Sequence, residues 1–221
     1  MFRLVGQQAE ILKAIRLDIC KQPPCQSVAL SENALAAKFG VSRTPIRQVL
    51  QLLAHVQLVE TQAGVGTHSL ALRQEDRISH HVVMGELGEV AARYASTEPL
   101  SRQTKLEFMT IKNLMQIEED HSIDLMLDLS GRTTDALART IDDPILCFAL
   151  QAALWRMIRW RAHDIMSGED GAWALTERNL GMLADAAVSG TTQDLLMGIS
   201  QGAKRQVAAL KEAATAQKTG T

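Results

Sequence analysis

The sequence predicts a mainly α-helical protein: a small N-terminal domain of three helices and a β-hairpin, followed by an all-α antiparallel bundle. Three observations predict it. Apolar residues recur every three to four positions through most of the chain, the period of a helix with one buried face. Short alternating runs occur only between residues 56 and 72, on either side of a glycine-rich tip. Beyond residue 76 the chain reads as Leu/Ala/Met-rich helical stretches separated by helix-ending residues, with no convincing strand.

Residues 6–21 place Ile11, Ile15 and Ile19 at i, i+4 and i+8, with Leu12 beside them, and Pro23-Pro24 ends this first helix. Ser31 is the N-cap of a second helix that runs to about Lys38, with Leu35 and Phe39 facing inward. Gly40 makes the turn, because a tight helix-helix bend commonly needs positive φ. Ser42 opens the third helix, and Pro45 sits in its first turn, where the missing N–H has no helical partner. Ile46, Val49, Leu50 and Leu53 form its buried stripe. Val56–Glu60 and Thr67–Leu72 alternate around Ala63-Gly64-Val65-Gly66, which predicts a β-hairpin.

Arg73 to Asp76 read as a linker, dividing the chain into domains of residues 1–72 and 77–221. Breaks at Pro99, Ser122, Asp142-Asp143-Pro144, Gly168 to Gly171 and Gly190 leave about six helices, enough for a bundle. The tail from Ala213 to Thr221 is expected to fray.

At 221 residues, with 46% hydrophobic and 22% charged residues, the chain has the composition of a folded globular protein. No apolar run reaches the roughly 20 residues that span a bilayer. Met1 to Gln8 lack the basic start and apolar core of a secretory signal, so a cytoplasmic protein with no membrane partner is expected. Cys20, Cys25 and Cys147 are too sparse for a disulfide framework and read as reduced thiols. Residues 1–72 carry seven Lys or Arg against four Asp or Glu, a net of +3, and the remainder nets −5. A basic head on an acidic body suits a partner made of phosphates.

Helix, glycine turn, helix and glycine-tipped hairpin follow one another in the order of a winged helix-turn-helix. In that arrangement the third helix enters a major groove about 12 Å wide and offers donors near its N-terminus. Arg43, Thr44 and Arg47 lie there, with Arg43 and Arg47 four apart on one face, opposite the buried stripe. Arginine binds guanine O6 and N7 with two hydrogen bonds or clamps a phosphate. Ser42, Thr44 and the first free N–H groups of the helix suit phosphate oxygens. The wing tip, with Gly66 and Thr67, is small enough to approach the backbone or minor groove.

Residues 30–70, LSENALAAKFGVSRTPIRQVLQLLAHVQLVETQAGVGTHSL, and above all the core GVSRTPIRQVLQLL, resemble the DNA-binding domain of the GntR family of bacterial transcriptional regulators. The helical region of about 145 residues has the length found in the FadR-like branch. The resemblance implies an effector-binding domain of six or seven helices that also forms the homodimer, and double-stranded operator DNA as partner. It also implies a basic DNA contact after the Ser-Glu of the second helix, where this chain has Asn33, so the operator sequence does not carry over. Many FadR-like domains hold a divalent metal with one Asp and three His. Aligned on Asp143-Pro144, those positions fall at Ser130, Thr134, Asn179 or Leu180, and near Gly202. Hydroxyl and amide groups do not replace imidazole at a transition metal, so a degenerate domain with no metal or other cofactor is expected.

Ser130, Thr134 and Asn179 are therefore expected to orient a small polar effector, with Arg156 and Arg159 adding positive charge if their shared face turns inward. The alternative is surface arginines covering apolar area with their stems. His121, Asp124 and Asp128 fit a solvated face better than a metal site. The adjacent His80 and His81 point apart on a helix, and His163 reads as packing. Neither a P-loop nor a G-x-S-x-G elbow is present, so an enzyme is not expected. The reading is a sequence-specific DNA-binding regulator, a repressor by analogy, released by a metabolite; an effector-independent regulator with a decayed pocket is the open alternative.

Overall fold

The structure is a computed structural model that describes residues 6–118 and 121–219. The head contains α1 (Gln7–Cys20), α2 (Glu32–Phe39), α3 (Arg43–His55), β1 (Val59–Gln62) and β2 (Gly66–Ser69). Gln74–Asp76 form a 3-10 turn. The body contains α4 (Arg77–Tyr94), α5 (Arg102–Ile117), α6 (Ile123–Ala138), α7 (Pro144–Met166), α8 (Ala172–Ser189) and α9 (Thr192–Thr219).

Local chemistry starts and stops these helices. Ser31, Ser101, Ser122 and Asp143 each accept a hydrogen bond from the backbone N–H three residues on, capping α2, α5, α6 and α7. Gly40 ends α2 in the left-handed region at φ 64°. The antiparallel hairpin pairs Val59 with Ser69 and Gln62 with Gly66. Its first strand begins three residues later than the alternation suggested. Leu58 N–H donates to Leu53 O and Gln57 N–H to Ala54 O, each at 3.0 Å, so Val56–Leu58 complete the end of α3. Gln57 takes the left-handed conformation there at φ 54°, a position glycine usually fills. The second strand is also shorter, because Leu72 N–H turns away to Pro24 O. The tail from Ala213 continues α9 to Thr219, and residues 220–221 lie outside the described residues.

Two cores hold the molecule. The bundle core joins Phe108, Ile111, Leu129, Leu150, Ala184 and Leu196. Within it α4 crosses α9 closely: a Cβ at Gly88 would lie 3.1 Å from Leu196 O, so no larger residue fits without displacing backbone. The second core is shared between head and body. Ile11, Ile15, Ile46, Val49 and Leu53 pack in one cluster with Met126, Trp155 and Ile158 of the body.

Charge follows the same junction. Lys13 pairs with Asp128 and Lys21 with Asp124, while Arg16 meets Asp135 at 3.1 Å and stacks over Trp155. Three of the head's basic residues thus face the acidic α6, so the charge asymmetry serves docking as well as any external partner. These part-exposed pairs are worth about 0–1 kcal/mol each. A fully buried aliphatic side chain is worth about 1.5–3 kcal/mol, so the shared apolar cluster dominates the junction. On its other side Arg159 is 1% exposed. Its guanidinium donates to Leu70 O and to Pro24 O. One turn earlier, Arg156 donates to Gln57 Oε1.

Candidate nucleic-acid interface and effector cavity

Helix α3 has two unlike faces. Ile46, Val49, Leu50 and Leu53 are 0–4% exposed and fasten it to the head. The opposite face presents Ser42, Arg43, Thr44 and Arg47, all exposed. Ser42 makes no side-chain capping bond. Arg47 donates to Glu32 Oε1 at 3.1 Å and Oε2 at 2.9 Å, and Arg43 Nη2 reaches Oε2 at 3.3 Å. The bonds from Arg47, and then from Arg43, hold the Glu32 carboxyl below its usual range. One carboxylate from α2 therefore gathers both arginines at the N-terminal end of α3. Beside them the wing tip turns at Gly64 (φ 75°) and Gly66 (φ 107°), with Val65 exposed. The Thr61 and Thr67 hydroxyls are 3.0 Å apart across the strands.

Residues 8–68 match the family of bacterial regulatory proteins called the gntR family. The match covers the head alone, a minority of the chain. A helix-turn-helix-type transcriptional regulator of Streptomyces ambofaciens, uncharacterised and from an unstable DNA locus, is 56% identical to this chain over 39 residues. That match spans 18% of this chain and only 16% of the relative. Two solved structures extend the likeness over both domains. Escherichia coli McbR/YncC is 18% identical, with a TM-score of 0.64, covering 96% of this chain and 100% of that one. A GntR-type protein from Rhodococcus sp. RHA1 is 16% identical, with a TM-score of 0.52, covering 98% and 99%. At these identities the likeness is one of fold.

The helical body holds a cavity of about 150 Å³ between α4, α6, α7, α8 and α9. Ser130 and Asn179 both line it, and so does Gly202. Thr134 does not; it is 1% exposed and its hydroxyl donates to Ser130 O at 2.9 Å. Ser130 Oγ in turn points to Met126 Sδ at 3.4 Å. One hydroxyl, one amide and a glycine do not fit a transition metal. Among the described residues no group of three His, Cys, Asp or Glu is placed to hold one. Asp124 and Asp128 are taken by Lys21 and Lys13, and His121 stacks on Trp173 at 4.6 Å. No helix among the described residues is long and apolar enough to cross a membrane.

Arg156 and Arg159 lie outside the cavity, because their face of α7 turns toward the head. The residues that α7 sends into the cavity wall include Trp160, Arg161 and Asp164. Asp164 Oδ2 binds Arg77 Nη2 at 2.6 Å, an ion pair with both side chains largely buried. Burial pushes the Asp164 carboxyl up, with Arg77 opposing. Trp160 Nε1 donates to His80 Nδ1 at 3.1 Å, and the Arg77 guanidinium lies 5.4 Å from the Trp160 ring. The residue spacing Arg161-x-x-Asp164 was the available signal for this wall. The pairing of Asp164 with Arg77, 87 positions away, leaves no local trace.

His81 is also in the wall, 5% exposed, with its ring Nδ1 2.9 Å from Arg77 O. Burial pushes its pKa down to about 4, with Arg77 and Arg161 adding to the effect. An unfolded chain binds the proton near pH 6.5 while the folded one refuses it. Stability from this group is therefore complete above about pH 6.5 and lost as pH falls toward 4. The loss should reach about 3 kcal/mol at pH 4. His81→Gln should remove that share of the acid limb in urea titrations; identical limbs for the two proteins would refute the assignment.

Proposed function

We propose that this chain is a sequence-specific, DNA-binding transcriptional regulator, acting as a repressor and controlled by a small metabolite in the cavity of its helical body. The observation that carries the DNA part is the exposed Arg43/Arg47 pair at the start of α3, on the face opposite a stripe buried to 0–4%. With Ser42, Thr44 and the wing residues Gly66 and Thr67 alongside, this face offers bidentate donors for base edges and hydroxyl or N–H groups for phosphates. Selection from a pool of random duplexes should return one recurring sequence, arranged as an inverted repeat. Uniform retention of all sequences would refute sequence-specific reading.

The control part rests on the cavity. A decayed pocket fills with apolar side chains, whereas this one keeps buried polar atoms without a hydrogen bond of normal geometry, among them Asp164 Oδ1 and Asn179 Oδ1. In a repressor released by its effector, a metabolite that raises the melting temperature should also lower affinity for the selected duplex. A reporter that falls silent when the gene is deleted would indicate an activator instead.

The protein is expected to work as a homodimer joined through the body. Val82 and Val83 on α4 and Ile145 on α7 are 42%, 45% and 77% exposed, apolar surface that a single copy leaves in water. Light scattering on the full chain should give twice the 24.2 kDa of one copy. A mass of one copy at micromolar concentration would end that reading.

A further inference from the structure

The cavity in the body carries two kinds of unmet need. On one side are guanidinium groups. Arg161 donates to Ala172 O at 3.3 Å and Gln206 Oε1 at 3.2 Å. Arg205 Nη2 reaches only the weak acceptor Met182 Sδ at 3.3 Å, and its Nε is buried without a partner. Among the described residues no carboxylate forms an ion pair with either arginine. On the other side are acceptors. Asp164 is 4% exposed; Oδ2 holds Arg77, the Glu169 carboxyl lies close by, and Oδ1 is buried without a hydrogen bond of normal geometry. Asn179 Oδ1 is buried and unpartnered as well. A Cβ at Gly202 would stand 3.5 Å from that amide oxygen and 3.8 Å from Arg205 Nη2, so this glycine lies beside both groups.

Leaving buried donors and acceptors unmet is costly. An occupant that is only a carboxylic acid would answer the arginines, leave both acceptors unmet and set a second anion beside Asp164. An amine alone would answer the acceptors and add a cation to a wall that already holds Arg161 and Arg205. An occupant with both poles answers both sets. The remaining wall, with Met84, Leu154, Met157, Leu180 and Ile199, is apolar. A cavity of about 150 Å³ is small, on the scale that holds a single benzene-sized body.

We propose that the cavity binds a free α-amino acid with an apolar side chain. Its α-carboxylate meets Arg161 and Arg205, its α-ammonium meets Asp164 Oδ1 and Asn179 Oδ1, and its hydrocarbon or thioether chain lies against the apolar wall. This rests on the reading of the cavity as an effector site and names the effector's class. It also gives the effector a route outward. The ammonium shares one carboxylate with Arg77, the first residue of α4, which directly follows the turn leading from the wing.

The test uses the full chain and three probes in calorimetry and thermal melting: L-leucine, 4-methylpentanoate, which lacks the ammonium, and L-leucinamide, which lacks the carboxylate. L-leucine should bind at least about tenfold more tightly than either, because a site built to hydrogen-bond a group rejects the analogue without it. Asp164→Asn should shrink the gap between L-leucine and 4-methylpentanoate while sparing the gap to L-leucinamide. Should that variant not fold, the wild-type ranking decides alone. Equal binding of L-leucine and 4-methylpentanoate overturns the proposal, as does no binding of L-leucine or L-methionine at millimolar concentration. DNA affinity is read separately. L-leucine that binds without changing it would sink effector control and leave the amino-acid site standing. Release of DNA by another metabolite class would do the reverse.

Discussion

Arg47→Ala should weaken binding to the selected duplex by about tenfold to a hundredfold and leave the melting temperature unchanged. Arg43→Ala should behave alike, with a smaller loss if it meets a phosphate rather than a base. Both side chains are more than half exposed, so the fold does not depend on them. Their shared partner sharpens the expectation. In the absence of DNA, Glu32 holds the Arg47 fork with two hydrogen bonds and Arg43 with one, which fixes both guanidinium planes before any base arrives. The same carboxylate repels phosphate. Glu32→Gln should therefore raise affinity for unrelated duplexes and narrow the margin between the selected sequence and random DNA. Mobility-shift titrations at fixed salt measure all three variants. Wild-type affinity in both arginine variants would mean that another element reads the sequence.

Arg159→Ala should destabilise the protein by about 3–5 kcal/mol in urea unfolding, a loss built from two parts. Truncation opens a void at a position only 1% exposed, and it strips Leu70 O and Pro24 O of their donor. Among the described residues no carboxylate forms an ion pair with the guanidinium there. Its nearest titratable neighbour by effect is Cys20, a thiol that burial pushes up to about 12 and so keeps neutral. Arg159→Met should cost less, about 1–2 kcal/mol, because a thioether refills the space and removes the burial cost of the charge, though the two carbonyls stay unmet. A loss within about 1 kcal/mol for Arg159→Ala would show that the apolar cluster alone joins head to body.

The boundaries of the body helices were legible because their causes are local. Ser122 and Asp143 cap the helices they precede, and the glycines from 168 to 171 stand between α7 and α8. The start of β1 was not, because α3 ends on Gln57 where the usual glycine signal is missing. The direction of the arginines on α7 was the larger difference. From Leu146 to Ile165 that helix has no exposed residue, with the head on one face and the cavity on another, so no polar stripe marks which residue points where. Arg156 and Arg159 turned to the head, and Arg161 took the cavity. The docking charges did leave a trace. Lys13 and Arg16 on α1, with Lys21 at its C-terminal cap, and Asp124, Asp128 and Asp135 on α6 are two stripes of opposite sign at helical spacing. Read singly they are surface charge; only as a pair do they describe a joint.

That joint has a consequence for the DNA. Because head and body share one apolar cluster, fastened by ion pairs and by Arg159, each α3 is carried by its bundle, and if α3 reads DNA as proposed its position is set by the body. In a pair of copies the distance between the two helices would be a ruler set by the body, with no slack from the connecting turn. One base pair added between half-sites rotates the second by roughly 35°, since B-DNA repeats every 10–10.5 base pairs. A loosely tethered head could follow that rotation. This one would miss its groove, so the protein would count the spacer as strictly as it reads the letters.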